Sequence, residues 1–108
     1  MTVAELSEKL DLKALTELHD KEIHGAYVSD MVSDVMAGAK PGALWITTQT
    51  HKNVVAAANL VDISAVVVTS GRAVSDEVLE MANRAELPIL TTDLDTYALV
   101  GRLHEAGV

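Results

Sequence analysis

Hydroxyl side chains gather wherever an apolar run of this chain gives way to a helical pattern. Thr47, Thr48 and Thr50 follow Leu44-Trp45-Ile46, Thr69 and Ser70 follow Val66-Val67-Val68, and Thr91 and Thr92 follow Ile89-Leu90. In a parallel sheet such strand ends share one edge, which is where α/β proteins place ligands. Hydroxyls and free helix N–H groups at that edge suit a phosphate or carboxylate. Arg72 stands in the middle corner and is, with Lys52, the cation of these corners. Gly71 beside it lets the backbone approach a ligand closely. Gln49, His51 and Asn53 add amide and imidazole groups to the first corner. The candidate ligand-binding set is therefore Thr47, Thr48, Gln49, His51, Asn53, Thr69, Gly71, Arg72, Thr91 and Thr92. Thr, Ser and Gly are also ordinary cap and turn residues. A ligand crevice and a plain set of strand–helix corners both stand at this point.

Other chemistry finds less support. Histidine is a side chain suited to general acid or base work, yet no Ser, Cys or carboxylate stands at a telling spacing beside His51. It reads better as a solvent-facing or ligand-contacting group. His19, His24, His51 and His104 show no metal-ligand spacing. Asp30 and Asp34 lie at i and i+4 and would hold Mg²⁺ only with help from phosphate or other ligands; helix capping accounts for Asp30 more simply. Asp93 and Asp95 fall at the start of a helical pattern, where acids are favoured by the dipole. Neither Gly-x-x-x-x-Gly-Lys-Ser/Thr nor Gly-x-Gly-x-x-Gly occurs. No catalytic residue, cofactor or metal is expected.

These groups need elements to position them. Thr2 and Glu5 form a capping box for a helix from Val3 to Leu10. Leu12 to Leu18 leans towards strand, His19 to Glu22 is a polar turn, and Ile23 to Ser29 reads as a strand weakened by Gly25. Asp30 suits the N-cap of a short helix from Met31 to Ala37, and Gly38, Pro41 and Gly42 make the next turn. Ala43 to Thr47 is a strand, and Thr50 caps a helix from His51 to Val61 with Val54, Val55, Ala58 and Val61 on one face. Ser64 to Thr69 is a continuous β-branched run of the kind covered on both faces of a sheet. Ser75 caps Asp76 to Glu86, Leu87 to Leu90 is the next strand, and Asp95 to Ala106 is a last helix closed by Gly107. Three successive strand–helix units predict a parallel sheet with right-handed crossovers. The expected fold is α/β, a three-layer α/β/α domain with a mostly parallel sheet, formed by residues 1–108 as a single unit.

Composition narrows the function classes. The chain has 108 residues, 49% of them apolar, with no Phe, one Trp and two Tyr. Its core must be aliphatic and alanine-rich. A net charge of −8 argues against nucleic acid and against anionic membrane surfaces. No apolar run approaches the roughly 20 residues of a membrane span. The N-terminus reads as a capped helix rather than a signal peptide. With no Cys there is no disulfide or thiolate chemistry, which fits a cytoplasmic protein.

Four strings carry a likeness. Tyr27-Val28-Ser29-Asp30-Met31-Val32-Ser33-Asp34-Val35-Met36, Trp45-Ile46-Thr47-Thr48-Gln49-Thr50-His51-Lys52-Asn53, Thr69-Ser70-Gly71-Arg72 and Leu87-Pro88-Ile89-Leu90-Thr91-Thr92-Asp93 together resemble DRTGG domains, over essentially the whole chain. The final third also resembles the N-terminal domain of HPr kinase/phosphorylase. The literal Asp-Arg-Thr-Gly-Gly letters are missing; Gly71-Arg72 and Thr91-Thr92 stand in the nearest positions. The resemblance implies a non-catalytic regulatory or interaction module and a homo-oligomer, a dimer favoured. It also implies an enzyme or other protein partner. The alternative expectation is a sensor that binds an anion or nucleotide, a phosphate-containing ligand, at the strand C-terminal edge.

Overall fold

A computed structural model describes residues 1–108. Its elements are α1 (Val3–Lys9), β1 (Lys13–Ala14), β2 (Ala26–Val28), α2 (Val32–Gly38), β3 (Leu44–Thr47), α3 (Asn53–Leu60), β4 (Ala65–Val68), α4 (Asp76–Arg84), β5 (Ile89–Thr91) and α5 (Thr96–Glu105). The sheet order is β1-β5-β4-β3-β2. β2, β3, β4 and β5 pair in parallel, and β1 pairs antiparallel with β5. No helix is long and apolar enough to cross a membrane.

The period-2 alternation of the strands builds two cores. Trp45, Val66, Val68 and Ile89 meet Val35 of α2, Val54, Val55, Ala57 and Ala58 of α3, and Val78 and Ala82 of α4. Leu44, Ile46, Ala65, Val67 and Leu90 meet Val3, Leu6 and Leu10 at α1 and Leu99 and Leu103 of α5. The architecture is three-layer α/β/α, as the continuous apolar run of β4 demands. The buried Trp45 indole donates to the Ser29 carbonyl oxygen at 2.8 Å, so its N–H is satisfied.

Local signals set most helix ends. The Thr2–Glu5 capping box forms in both directions, Ser75 caps α4 by accepting from the Val78 N–H, and Gly107, at φ 89°, closes α5. The C-terminal N–H groups of Gly107 and Val108 donate to the carbonyls of His104 and Leu103, the Schellman pattern.

Two expected caps are overturned. Asp30 does not cap α2; Met31 stands at that N-cap with no side-chain bond, because the Asp30 carboxylate accepts from Thr47 and Thr48 across the sheet edge instead. Thr50 does not cap α3, which begins at Asn53 with Lys52 before it and no hydroxyl bond. There the His51 imidazole accepts the Asn53 N–H at 3.1 Å. The two early strands are also shorter than expected. Of Leu12 to Leu18 only Lys13 and Ala14 pair, and of Ile23 to Ser29 only Ala26 to Val28. Thr16 accounts for the first of these. Its buried hydroxyl donates to the Leu87 carbonyl at 3.0 Å and accepts the Ile89 N–H at 2.8 Å, tying the loop after β1 to the start of β5.

Replacing Thr16 by Val keeps the shape and leaves both backbone groups unpaired in the interior. Thr16→Val is therefore expected to cost about 1–3 kcal/mol, read as a lower midpoint in denaturant unfolding.

Candidate functional site

The polar residues converge on the C-terminal edge of β2, β3, β4 and β5. After β4 the chain crosses to the face that holds α4; after β5 it crosses to the opposite face and α5. Such a parting of connections opens a crevice in an open α/β sheet. Here the two turns lace it shut. The Ser70 N–H donates to the Leu94 carbonyl at 2.8 Å, the Gly71 N–H to the Thr92 carbonyl at 2.9 Å, and the Thr92 N–H to the Val68 carbonyl at 3.1 Å. The Thr69 and Thr96 hydroxyls share a bond at 2.9 Å. Gly71 sits at φ 63°, and a Cβ there would lie 2.9 Å from Asp93 Oδ1. The close approach that Gly71 permits is thus to a carboxylate of its own chain.

The β2 and β3 corners are joined in a similar way. Thr47, fully buried, donates its hydroxyl to Asp30 Oδ1 at 2.9 Å and accepts the Gln49 N–H at 3.0 Å. The Thr48 N–H donates to the same Asp30 oxygen at 2.7 Å. The Thr48 backbone N–H, aided by the Thr47 and Thr48 side chains and by the positive charge of Arg72, holds the Asp30 carboxyl below its ordinary range; partial burial opposes this. Arg72 therefore lies within electrostatic reach of Asp30, although it forms no ion pair.

The remaining candidates separate onto the two faces. Gln49 and His51 line an open groove of about 650 Å³ with Thr50, Lys52, Ala73, Ser75, Glu77 and Val78, between the starts of α3 and α4. Because His51 Nδ1 accepts from Asn53, its Nε2 is the nitrogen left for a ligand or solvent. Thr91 and Thr92 face a different crevice of about 400 Å³ on the α5 side, shared with Lys13, Asp93 and Arg102 among others. The Thr91 hydroxyl donates to the Val68 carbonyl and that of Thr92 accepts the Leu94 N–H. The ten candidates thus form an edge, not one pocket.

The chemistry available is recognition by hydrogen bonds and charge. No His makes a carboxylate contact at this edge; the His–acid contact of the molecule is His19 with Glu17. No group of three His, Cys, Asp or Glu is placed to hold a metal, and no buried side-chain nitrogen or oxygen lacks a partner. Sequence reasoning missed two things. Asp30 bridges strands that are adjacent only in the fold. Lys13 and Arg102 border the α5-side crevice from opposite ends of the chain.

Two variants test the edge. Gly71→Ala forces a β-carbon onto Asp93 at a left-handed φ and is expected to lower stability by about 1–3 kcal/mol, measured by thermal unfolding. Asp30 has a lowered folded-state pKa, so its stabilisation is complete above the ordinary value of 3.8 and fades as pH falls through the folded value. The stability gap between the wild type and Asp30→Asn is expected to be open at pH 7 and to close in acid, as followed by urea melts across pH.

The sequence model of the DRTGG domain family matches residues 5–106. Among solved structures the chain is similar to the crystal structure of the CBS and DRTGG domains of the regulatory region of Clostridium perfringens pyrophosphatase, complexed with its activator diadenosine tetraphosphate. The two superpose with a TM-score of 0.75 at 18% identity, over 90% of this chain and 43% of that one, so this chain spans less than half of its structural neighbour. At that identity the likeness concerns the fold. No curated protein matches the sequence. A family match over nearly the whole chain, on the fold that a solved DRTGG-containing region shares, means that this chain belongs to the DRTGG domain family.

Proposed function

We propose that residues 1–108 form one non-catalytic regulatory domain that self-associates as a dimer and acts on or beside a metabolic enzyme in the cytoplasm. The likeness of the final third to the N-terminal domain of HPr kinase/phosphorylase is part of this reading. Membership of the DRTGG family supports a regulatory role, as does the place of the similar domain within a pyrophosphatase regulatory region.

One observation carries the self-association. Three large apolar side chains lie exposed within a short stretch: Val28 at 50%, Met31 at 63% and Met36 at 45%. Val35 of the same helix is fully buried, so α2 docks by one side and leaves its methionines outside. On a chain of net charge −8, a concentrated apolar stretch marks a contact surface. Methionine also adapts to partners of varied shape.

A second reading rests on Arg72. It is an exposed cation without an ion pair, beside groups left free at the sheet edge. A phosphate-bearing ligand, a nucleotide for example, would pair with Arg72 and be read by Gln49, His51 and Asn53. Thr48 would complete its surroundings, while Thr47 and Thr69 hold the corners in shape and Thr91 and Thr92 open on the other face. The nucleotide activator bound to the pyrophosphatase region supports this class of ligand.

Sedimentation velocity is expected to show a dimer for the wild type and a monomer for Met31→Glu/Met36→Glu. A wild type that stays monomeric at high concentration removes the self-association. For the second reading, a melting screen of nucleotides and phosphometabolites is expected to find a ligand. At one hundred times its Kd it would stabilise by about 2.7 kcal/mol, and Arg72→Ala would abolish the shift. A screen without a positive removes the sensor.

A further inference from the structure

The two edges of the sheet differ in how they meet solvent. β1 is two residues long, carries Lys13, and has Asp11 and Glu17 close by. Short length and charge are the usual guards against edge-to-edge pairing. β2 has neither. From His24 to Ser29 the chain reads His-Gly-Ala-Tyr-Val-Ser, without Asp, Glu, Lys, Arg or Pro, and Ala26 and Val28 are exposed.

The hydrogen bonds to β3 give the direction of each backbone group. The Leu44 N–H donates to the Gly25 carbonyl at 3.0 Å, and the Ser29 N–H donates to the Ile46 carbonyl at 3.2 Å. Bonding alternates along a strand, so between these anchors Tyr27 directs its N–H and C=O to β3. Ala26 and Val28 direct theirs outward, and neither takes part in any turn or loop bond. The Tyr27 side chain lies on the α2 side, its hydroxyl 3.5 Å from the Asp34 carbonyl and crowding the position of a Cβ on Gly38. That face of the strand is closed while its edge is open.

We propose that β2 pairs antiparallel with β2 of a second copy of this chain, across a two-fold axis at Tyr27. This rests on the self-association proposed above and gives it a geometry. Tyr27 then stands opposite the partner's Tyr27. Ala26 stands opposite the partner's Val28, each such pair exchanging both of its outward N–H···O bonds. The register is self-complementary, as an isologous contact requires. Charge selects the same site. Two copies of net charge −8 repel, and this uncharged stretch is where their backbones approach at least electrostatic cost. Met31 and Met36 are exposed in the segment and helix that follow the strand, and the sheet continues through both protomers.

The test is sedimentation equilibrium on the full chain with amide hydrogen exchange. Val28→Pro deletes one outward N–H and no bond to β3, and proline is tolerated on an edge strand. The wild type is expected to dimerise, with the Ala26 and Val28 amides exchanging at least about tenfold more slowly in concentrated than in dilute samples. Val28→Pro is expected to be a folded monomer, and Lys13→Ser, on the other edge, a dimer. A dimer that survives Val28→Pro, or amides at 26 and 28 whose exchange ignores concentration, overturns the strand pairing and leaves self-association standing. A monomeric wild type overturns both and gives the edge to a different chain. Should Val28→Pro fail to fold, the wild-type exchange rates decide alone.

Discussion

Every side chain of β3 and β4 is buried, and the architecture follows from that constraint. A strand of this kind needs cover on both faces. α2, α3 and α4 supply it on one side, α1 and α5 on the other. The chain achieves this with almost no aromatic volume, so small residues carry the packing. Ala57 and Ala58 bring α3 onto Trp45 and its neighbours, and Ala65 leaves room beneath the leucines of α1 and α5. Because the helices after β2, β3 and β4 take one face and that after β5 takes the other, the β4 and β5 turns must part at the C-terminal edge.

In many sheets of this class that parting is left open for a ligand. Here the chain closes it with its own hydrogen bonds. Ser70, Gly71 and Thr69 from one turn engage Leu94, Thr92 and Thr96 from the other, and Asp30 joins the β2 and β3 corners. These bonds tie the backbone corners of the edge to one another. The edge presents charge and imidazole at its rim rather than a deep cavity. The outward backbone groups of Ala26 and Val28 stand apart from this network, along the outer edge of β2. The molecule thus keeps its C-terminal edge laced and one lateral edge open, and Met31 and Met36 are exposed in the chain that follows the open strand.

The sequence by itself determined the elements and their layers. Hydrophobic period separates strands from helices whatever their neighbours, and caps such as Thr2–Glu5, Ser75 and Gly107 act within one turn of chain. Membership of the DRTGG family was legible in the strings around Tyr27, Trp45, Gly71 and Thr91. Tertiary structure decided the partners of polar groups that have more than one use. Asp30 had a helix at hand and took Thr47 and Thr48 across the sheet edge, since two N–H or O–H donors held in place by strand pairing outweigh one frayed helix end. Thr16 found Leu87 and Ile89 some seventy residues away, a distance no local pattern spans. The candidate site divided for the same reason: Gln49 and His51 leave the sheet on one face and Thr91 and Thr92 on the other. Which face a turn takes depends on where its helix finds uncovered sheet, and only the folded chain determines that.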